Sequence, residues 1–257
     1  MGILEKIGGK ILGFFQIVGE MLRLLCQTIY FFREAPRNLQ SIFSQMAIMG
    51  YETLPIASVM GFFVGMVLAL QTGSELQKYG TQDIIGAIVG LSMVRELGPV
   101  MTSFLVAGRV GSAMAAEIGV MKVYEEIDAL KTLDINPVRY LAMPRLIACL
   151  ICVPVLTLYA NCVGMAGGAL ISHLHPRIFI SYATYYESLK TALKFSEIGS
   201  GLIKSFVFGG IISLVACYVG FMTTGGARGI GRSTTRAVVL SFLLILIADY
   251  FLTRLLL

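Results

Sequence analysis

The sequence predicts an all-α integral membrane protein, and three observations carry that prediction. The 257 residues are 56% hydrophobic and only 14% charged, whereas a soluble domain carries about 25% charged residues. The mean hydropathy is +0.81. Uncharged runs long enough to cross a bilayer recur along the chain. This composition excludes both a soluble globular domain and an intrinsically disordered chain.

Five uncharged runs predict transmembrane helices, because about 20 helical residues cross a hydrocarbon core about 30 Å thick. A backbone in lipid must satisfy its own hydrogen bonds, so each span is expected to be helical. The spans cover 53–74, 84–108, 146–172, 205–227 and 237–257, within one domain of residues 46–257. Three spans carry glycines four residues apart, which permit close helix approach within the chain or across a dimer. These pairs are Gly61/Gly65, Gly86/Gly90 and Gly164/Gly168.

Residues 1–45 predict an amphipathic helix and its connection to the first span. Apolar side chains recur at helical spacing from Ile3 to Leu25, with charged and amide side chains largely between them. In front of five spans, such a helix is expected to lie in the membrane interface. The alternative is a helix packed on a soluble partner. Glu5, Lys6 and Lys10 interrupt the apolar run that a signal peptide requires.

The distribution of basic residues predicts the orientation in the membrane. With five spans, the amino terminus, 109–145 and 228–236 share one side and hold 13 basic residues. The opposite side, formed by 75–83 and 173–204, holds 5. Because basic loops stay in the cytoplasm, the amino terminus is expected inside and the carboxyl terminus in the periplasm. Residues 228–236 are expected to form a basic turn between the last two spans.

Ionisable residues inside the predicted spans are candidates for function. A charge at mid-membrane costs about 2.5–3.5 kcal/mol on insertion scales, so each should find a partner or line a wet cavity. Arg95 and Glu96 lie near the middle of the second span, Asp249 lies in the fifth, and Lys204 borders the fourth. The expected pairs are Arg95 with Asp249 and Glu96 with Lys204. The alternative is a purely structural set of ion pairs.

The long inner loop predicts a short amphipathic helix over residues 117–136. Met121, Tyr124 and Ile127 recur every third residue, acidic residues stand beside them, and Asn136-Pro137 ends the pattern. Such a helix suits docking into the groove of a partner protein. The alternative is a surface helix that lies on the spans of its own chain. The candidate docking residues are Glu117, Met121, Tyr124, Glu125, Ile127 and Asp128.

No motif predicts a cofactor, a metal, a nucleic acid or a catalytic pair. Residues 226–233 nearly match a phosphate-binding P-loop, but Arg232 stands in place of the lysine, and a membrane span leads in where a strand is required. Cys149 and Cys152 lie in an uncharged run and have no second pair, and two histidines two residues apart in an outer loop are weak evidence for zinc.

A series of motifs resembles the signature of the MlaE-type permease family. The resemblance runs from about residue 45 to the end of the chain. The motifs are RELGPV at 95–100, AGRVGSA at 107–113, EIGVM at 117–121, EEIDAL at 125–130, NPVRY at 136–140, PR at 144–145 and GIGRSTTRAV at 229–238.

The resemblance implies the permease subunit of an ABC-type complex in the inner membrane of Gram-negative bacteria. Such complexes move phospholipids between inner and outer membranes and maintain lipid asymmetry. The implied partners are a second copy of the chain, two cytoplasmic ATPases that bind ATP and magnesium, a small STAS-domain protein on each ATPase, and a hexameric periplasmic ring of MCE-domain protein. This chain is then not itself an enzyme and binds no cofactor.

The resemblance also assigns roles to residues. The helix at 117–136 would couple the permease to the ATPase. A lipid cavity at the dimer interface would be lined by Leu68, Gln71, Tyr79 and Leu97, with Arg95 and Glu96 nearby.

Two other functional classes remain as alternatives. A passive lipid channel or scramblase would have no energy source and would need no docking helix. An intramembrane enzyme would need a nucleophile paired with a base at membrane depth, and Arg95, Glu96 and Asp249 do not form such a pair.

Overall fold

The computed structural model describes residues 3–176 and 178–256, and these ranges are predominantly helical without a strand. The α-helices are α1 Ile3–Tyr30, α2 Leu39–Tyr51, α3 Leu54–Tyr79, α4 Ile85–Ser92, α5 Gly98–Val106, α6 Ser112–Val123, α7 Glu126–Thr132, α8 Met143–Leu174, α9 Tyr182–Ala192, α10 Phe195–Phe221 and α11 Gly226–Leu256. Three π-helical segments, π1 Met93–Leu97, π2 Ala107–Gly111 and π3 Val138–Ala142, adjoin them. Short 3-10 segments cover Phe31–Asn38 and Gln82–Ile84. The all-α fold class is confirmed.

Five helical stretches of the described chain are long and apolar enough to cross a membrane, which confirms the predicted number. They are Phe15–Tyr79, Gln82–Val123, Val138–Leu174, Phe195–Phe221 and Gly226–Leu256. The first combines the amino-terminal helices with α3. Each of these helical stretches is longer than the corresponding predicted span, and helices can continue beyond a bilayer core where their charged side chains reach water.

The amino-terminal helix α1 extends over the predicted amphipathic region. Met21, Leu24 and Thr28 are buried, whereas Leu12 and Phe15 are exposed. The helix thus has one apolar face on the bundle and a second that faces outward. The side chains of residues 3–11, 13 and 14, which include part of the predicted apolar series from Ile3, lie outside what the structure describes. Residue 257, the predicted end of the fifth span, lies outside it as well.

Small residues bring α3 and α8 into close contact along most of their length. A methyl group added at Gly61 would lie 2.9 Å from the carbonyl oxygen of Ala160. One added at Gly65 would overlap the backbone of Gly164. Gly61 faces Ala160 and Gly65 faces Gly164, so the contact moves by four residues in the same direction along both helices. The two helices therefore run parallel, as the first and third spans of a five-span protein must. The expected close approach at these glycines is confirmed within the chain.

Prolines explain two of the three π-helical segments. Pro99 and Pro144 each lie two residues beyond the end of π1 and π3. A proline inside a helix lacks the donor N–H and displaces the carbonyl four residues earlier. Those carbonyls belong to Arg95 and Tyr140, in the middle of π1 and π3, so a widened turn accommodates each proline. The second span therefore continues through π1 and π2 as one helical column from Gln82 to Val123.

The predicted helix at 117–136 is wrong as a single element. Helix α6 continues from the second span to Val123, and the shorter α7 follows at Glu126–Thr132. Glu125 stands between them in the left-handed conformation, at φ 60°. This break ends α6 and allows α7 to place Ile127 in the core, where it is 3% exposed. A straight helix would carry that apolar side chain away from the bundle.

The predicted basic turn at 228–236 is also wrong, because these residues are helical. The turn between α10 and α11 is shorter and ends at Gly225 and Gly226, which adopt φ values of 90° and 65°. Left-handed glycines reverse the chain at little steric cost. Helix α11 therefore begins at Gly226 and includes Arg228, Arg232 and Arg236.

Helix α9 was not expected within residues 173–204, which were predicted to lie on the outer side. Ser181 caps its amino terminus by accepting a hydrogen bond from the Thr184 amide at 3.1 Å. Tyr185 is buried and donates its hydroxyl proton to the Met165 carbonyl at 3.2 Å. Helix α9 packs on α4, where the backbone of Tyr185 lies against Gly86. This end of the bundle also contains the end of α11 and the start of α10.

Candidate functional site

The clearest concentration of charge inside the bundle surrounds Lys204 of α10. Its side chain is 3% exposed. Its Nζ atom lies 2.8 Å from Glu96 Oε2 and 3.0 Å from Asp249 Oδ1, and it donates to Thr253 Oγ1 at 2.7 Å. Glu96 comes from π1, whereas Asp249 and Thr253 come from α11. One buried lysine thus joins three membrane helices, and Glu96 is its partner as expected.

Arg95 pairs with Glu197 at the start of α10. Its Nη2 atom donates to Glu197 Oε1 at 2.6 Å, and its Nε atom donates to Glu197 Oε2. The expected Arg95–Asp249 pair is wrong. Glu197 and Lys204 lie seven residues apart, which is about two turns, and so share one face of α10. Successive residues of π1 point in different directions, so Arg95 reaches the first and Glu96 reaches the second.

These two ionic groups border a cavity of about 420 Å³. Its walls combine charged and hydroxyl side chains with a few apolar ones. The lining residues are Leu91, Ser92, Arg95, Glu96, Ser196, Glu197, Ser200, Lys204, Thr253 and Leu256. We call this space the Lys204 cavity. Its cations and hydroxyls can donate hydrogen bonds to a phosphate, its carboxylates can accept them from an amine, and Leu91 and Leu256 add apolar surface.

The four residues expected to line a lipid cavity do not surround one space within a single chain. Leu68 and Leu97 both pack against the buried cluster that includes Ala69 and Met93. Gln71 and Tyr79 are exposed farther along α3, with Tyr79 77% exposed. None of the four borders the Lys204 cavity, although Leu97 follows Glu96 directly. A cavity shared between two copies of the chain stays a prediction.

Some of the candidate docking residues are buried against the bundle, and others are exposed. Glu117 on α6 accepts a hydrogen bond from buried Arg145 at 2.7 Å, and Met121 is partly buried against the core. Ile127 belongs to that core. This side of α7 therefore lies on the spans of its own chain, as the alternative to partner docking predicted. Tyr124 is 72% exposed at the break between α6 and α7. Glu125 is exposed beside it.

An ion pair between Lys122 and Asp128 joins α7 to the end of α6, and a second pair lies within α7. Asp128 accepts hydrogen bonds from Lys131 at 2.7 Å and from Lys122 at 3.1 Å. These two cations, Lys131 first, hold the pKa of the Asp128 carboxyl below its usual value. The exposed residues of this segment that a partner could contact include Tyr124, Glu125 and Leu133. We call these three residues the α6–α7 tip.

Each π-helical segment carries one arginine that binds an acidic residue of another element, a feature that the sequence reasoning missed. Arg109 of π2 donates to Glu52 Oε2 at 2.6 Å. Arg139 of π3 lies 3.0 Å from Glu34 Oε2. Arg95 of π1 binds Glu197, as described above. The available signal was a proline inside an apolar run close after an arginine, at Pro99 and Pro144. Widened turns at such positions occur frequently at functional sites.

The remaining sequence candidates have structural settings. Cys149 and Cys152 are buried in α8, with the Cys149 thiol 3.7 Å from the Met49 sulfur. His173 packs against the ring of Tyr182 at 4.3 Å between centroids. The P-loop-like residues 226–233 form the first turns of α11 rather than a loop after a strand. Among the described residues, no group of three or more histidine, cysteine or acidic side chains is placed to hold a metal.

Comparisons with known proteins agree with one another. The family model described as Permease MlaE matches residues 42–255. A probable ABC transporter permease of Rickettsia typhi is 41% identical over 256 residues, covering 100% of this chain and 98% of the relative. The intermembrane phospholipid transport system permease protein MlaE of Haemophilus influenzae is 31% identical over 98% of this chain and 97% of its own length. The chloroplast protein TRIGALACTOSYLDIACYLGLYCEROL 1 of Arabidopsis thaliana is 44% identical over 81% of this chain and 59% of its own length.

Proposed function

Because this chain belongs to the MlaE permease family and is an ABC transporter permease, we propose that it moves phospholipids between the inner and outer membranes of a Gram-negative bacterium. ATP hydrolysis on a separate subunit would drive the movement and so maintain outer-membrane lipid asymmetry. The observation that carries the proposal is the Lys204 cavity, which is lined by Lys204 and Glu96, with Asp249 3.0 Å from the Lys204 amine. The name of the Haemophilus relative supports phospholipid as the substrate.

The cavity has the chemistry that a phospholipid headgroup requires. Desolvating ions is costly, and apolar residues of similar volume often replace buried ion pairs without loss of stability. Charges inside a membrane protein are therefore more often associated with transport than with folding. Arg95 and the serine hydroxyls can contact a phosphate, while the carboxylates can contact a headgroup amine. The acyl chains would lie against the apolar side chains toward Leu68 and Leu97.

The active complex would contain two copies of the chain, with Leu68, Gln71, Tyr79 and Leu97 facing a shared space between them. Two cytoplasmic ATPases would dock at the α6–α7 tips, each with a small STAS-domain protein. A hexameric ring of MCE-domain protein would cover the periplasmic end, beside α9. The amino terminus would lie in the cytoplasm and the carboxyl terminus in the periplasm, as the basic loops indicate.

Transport requires the two states of the complex to differ in their affinity for lipid. ATP would close the ATPases, and the α6–α7 tip would carry this motion to the second span, because α6, π2, α5 and π1 form one continuous column. Movement of π1 would change the positions of Arg95 and Glu96 relative to α10. The cavity would then bind lipid in one state and release it in the other.

Reconstitution distinguishes this proposal from passive lipid movement. The complete complex is placed in vesicles, and transfer of a fluorescent phospholipid to an external lipid-binding protein is followed. We expect transfer to require ATP and to stop with a non-hydrolysable analogue. Equal transfer without nucleotide, or purification of the chain without any ATPase, would favour the passive channel or scramblase.

Photo-crosslinking tests the position of the lipid. Photoreactive residues replace Leu68, Gln71 and Leu97 in turn, with His173 in the outer segment as the control site. We expect the first three to capture phospholipid well above the level at His173. Capture at the same level at all four sites would contradict the shared cavity, while leaving the ATP-dependence result intact.

A further inference from the structure

A second open space lies toward the opposite end of α11 from the Lys204 cavity. A groove of about 850 Å³ opens between α1 and the first half of α11. It is lined by Ile17, Arg228, Gly231, Arg232, Thr235, Arg236, Val239, Leu240 and Leu243. We call it the arginine groove. Along α11, its arginines come first and its apolar residues follow them.

Three arginines border the first part of this groove. Arg228, Arg232 and Arg236 follow one another at intervals of four residues, so all three lie on one face of α11. All three are exposed. None forms an ion pair with an acid among the side chains that the structure describes, and none of the described lining residues is acidic. Glu20, on the neighbouring α1, already accepts hydrogen bonds from Gln16 and Tyr218.

The second part of the groove is apolar. Val239, Leu240 and Leu243 follow the arginines along α11, and Ile17 contributes from α1. Arg228 and Leu243 are 15 residues apart, which corresponds to about 22 Å along a helix. The groove therefore runs from cationic side chains at the start of α11 to aliphatic side chains inside the fifth membrane span.

We propose that the arginine groove binds an anionic phospholipid from the surrounding leaflet. The guanidinium groups would hold the phosphate, which they match in geometry as well as in charge. One acyl chain would lie on Val239, Leu240 and Leu243. An acidic surface of a soluble partner matches the arginines equally well, but it would leave the apolar half of the groove uncovered. The segregation of charge and apolar surface along one axis therefore favours a lipid.

This site is separate from the proposed transport pathway. The Lys204 cavity is bordered by Thr253 and Leu256 near the end of α11, whereas the arginine groove ends at Leu243. A lipid in the groove would contact both α1 and α11. It would thus add to the contacts that hold the amino-terminal helix on the bundle and make the assembly sensitive to the anionic lipid content of the membrane.

Fluorescence provides a direct test, because the natural chain contains no tryptophan. The full chain carrying Leu243→Trp is placed in lipid nanodiscs that contain brominated lipid, which quenches a nearby indole. Brominated phosphatidylglycerol and brominated phosphatidylcholine are compared at equal mole fraction. We expect stronger quenching by the anionic lipid at Leu243→Trp. At Val155→Trp, an exposed position on α8, we expect no difference between the two lipids.

Arginine variants of the Leu243→Trp chain decide the assignment. Arg232→Gln with Arg236→Gln should reduce the preference for phosphatidylglycerol by about fivefold for each arginine removed. Arg232→Lys with Arg236→Lys keeps the charge and should retain most of the preference. Arg254→Gln, at the other end of α11, should leave it unchanged.

Two results would overturn the proposal. The first is a quenching ratio at Leu243→Trp that does not respond to removal of Arg232 and Arg236. The second is the absence of any lipid preference in the chain alone, together with loss of the co-purifying ATPase in the double glutamine variant. The latter result would assign the arginines to protein docking.

Discussion

Among the described side chains, one basic residue is buried toward each end of the helix bundle, but in different surroundings. Lys204 at one end contacts two acids and a threonine, and it borders a cavity of about 420 Å³. Arg145 at the other end contacts Glu117 and the Leu141 carbonyl within a packed core. Two voids adjoin this core, one of about 10 Å³ beside Leu146 and one of about 190 Å³ beside Glu117, and Arg145 lines neither of them. A buried charge beside open space is available to a ligand, whereas one in a packed core holds helices together.

The largest effect is expected from Lys204→Met. This change leaves Glu96 and Asp249 close together without their cation, which costs about 3 kcal/mol of stability, since removing one partner of a buried pair is strongly destabilising. We expect at least about a tenfold loss of ATP-driven lipid transfer in reconstituted vesicles, since the loss of one such charge changes the barrier by more than about 1.4 kcal/mol.

A second substitution separates stability from transport. Adding Asp249→Asn to Lys204→Met should recover most of the thermal stability in detergent, while transport stays low. Recovery of transport together with stability would show that Lys204 acts only as a structural partner. Lys190→Met on α9 is the matched control and should resemble the wild type in both measurements.

Arg145→Met is expected to affect stability but not function. The substitution removes charge-assisted hydrogen bonds to Glu117 and to the Leu141 carbonyl, at a cost of about 2 kcal/mol. Thermal unfolding in detergent measures this loss. Transport per assembled complex should stay close to the wild-type value. A fall in transport as large as that expected for Lys204→Met would contradict the assignment of Lys204 to transport and of Arg145 to stability.

Glu125→Gly tests whether the α6–α7 tip contacts the ATPase through its side chain. Glycine tolerates φ 60°, so the backbone break should persist and the stability of the chain should not fall. We expect the affinity for the ATPase to decrease several-fold, as measured by titration of the purified subunits. Asp134→Gly, at a second left-handed position with φ 58°, is the control. Equal affinities for the two variants and the wild type would exclude a role for the Glu125 carboxylate.

The smallest effect concerns the pH dependence of α7. The Asp128 pKa is lowered by Lys131 and Lys122, so its contribution to stability is present above the unfolded value of about 4. That contribution is lost as the pH falls through the lowered folded-state pKa. The difference in thermal stability between wild type and Asp128→Asn should therefore be small at neutral pH and vanish in acid. A difference that grows in acid would contradict the ion pairs.

The Glu96–Lys204 pair was predictable from the sequence, whereas the partner of Arg95 and helix α9 were not. The Glu96–Lys204 pair follows from the cost of leaving either charge alone in a membrane helix. The Arg95–Glu197 pair could not be predicted, because hydropathy did not locate the start of the helix that carries Glu197. Helix α9 was missed for a similar reason, since its polar and aromatic composition resembles that of a loop.

The sequence by itself determined the membrane class, the five spans and the family, because apolar length and motif order are properties of the linear chain. Close packing at Gly61 and Gly65 was also readable, since small residues at a four-residue interval have few other uses in a span. Tertiary structure alone decided the break at Glu125, the continuous helix through Arg228–Arg236 and the partners of the buried charges. These features depend on which side chains can be buried together, and that is a property of helices brought into contact rather than of any one segment.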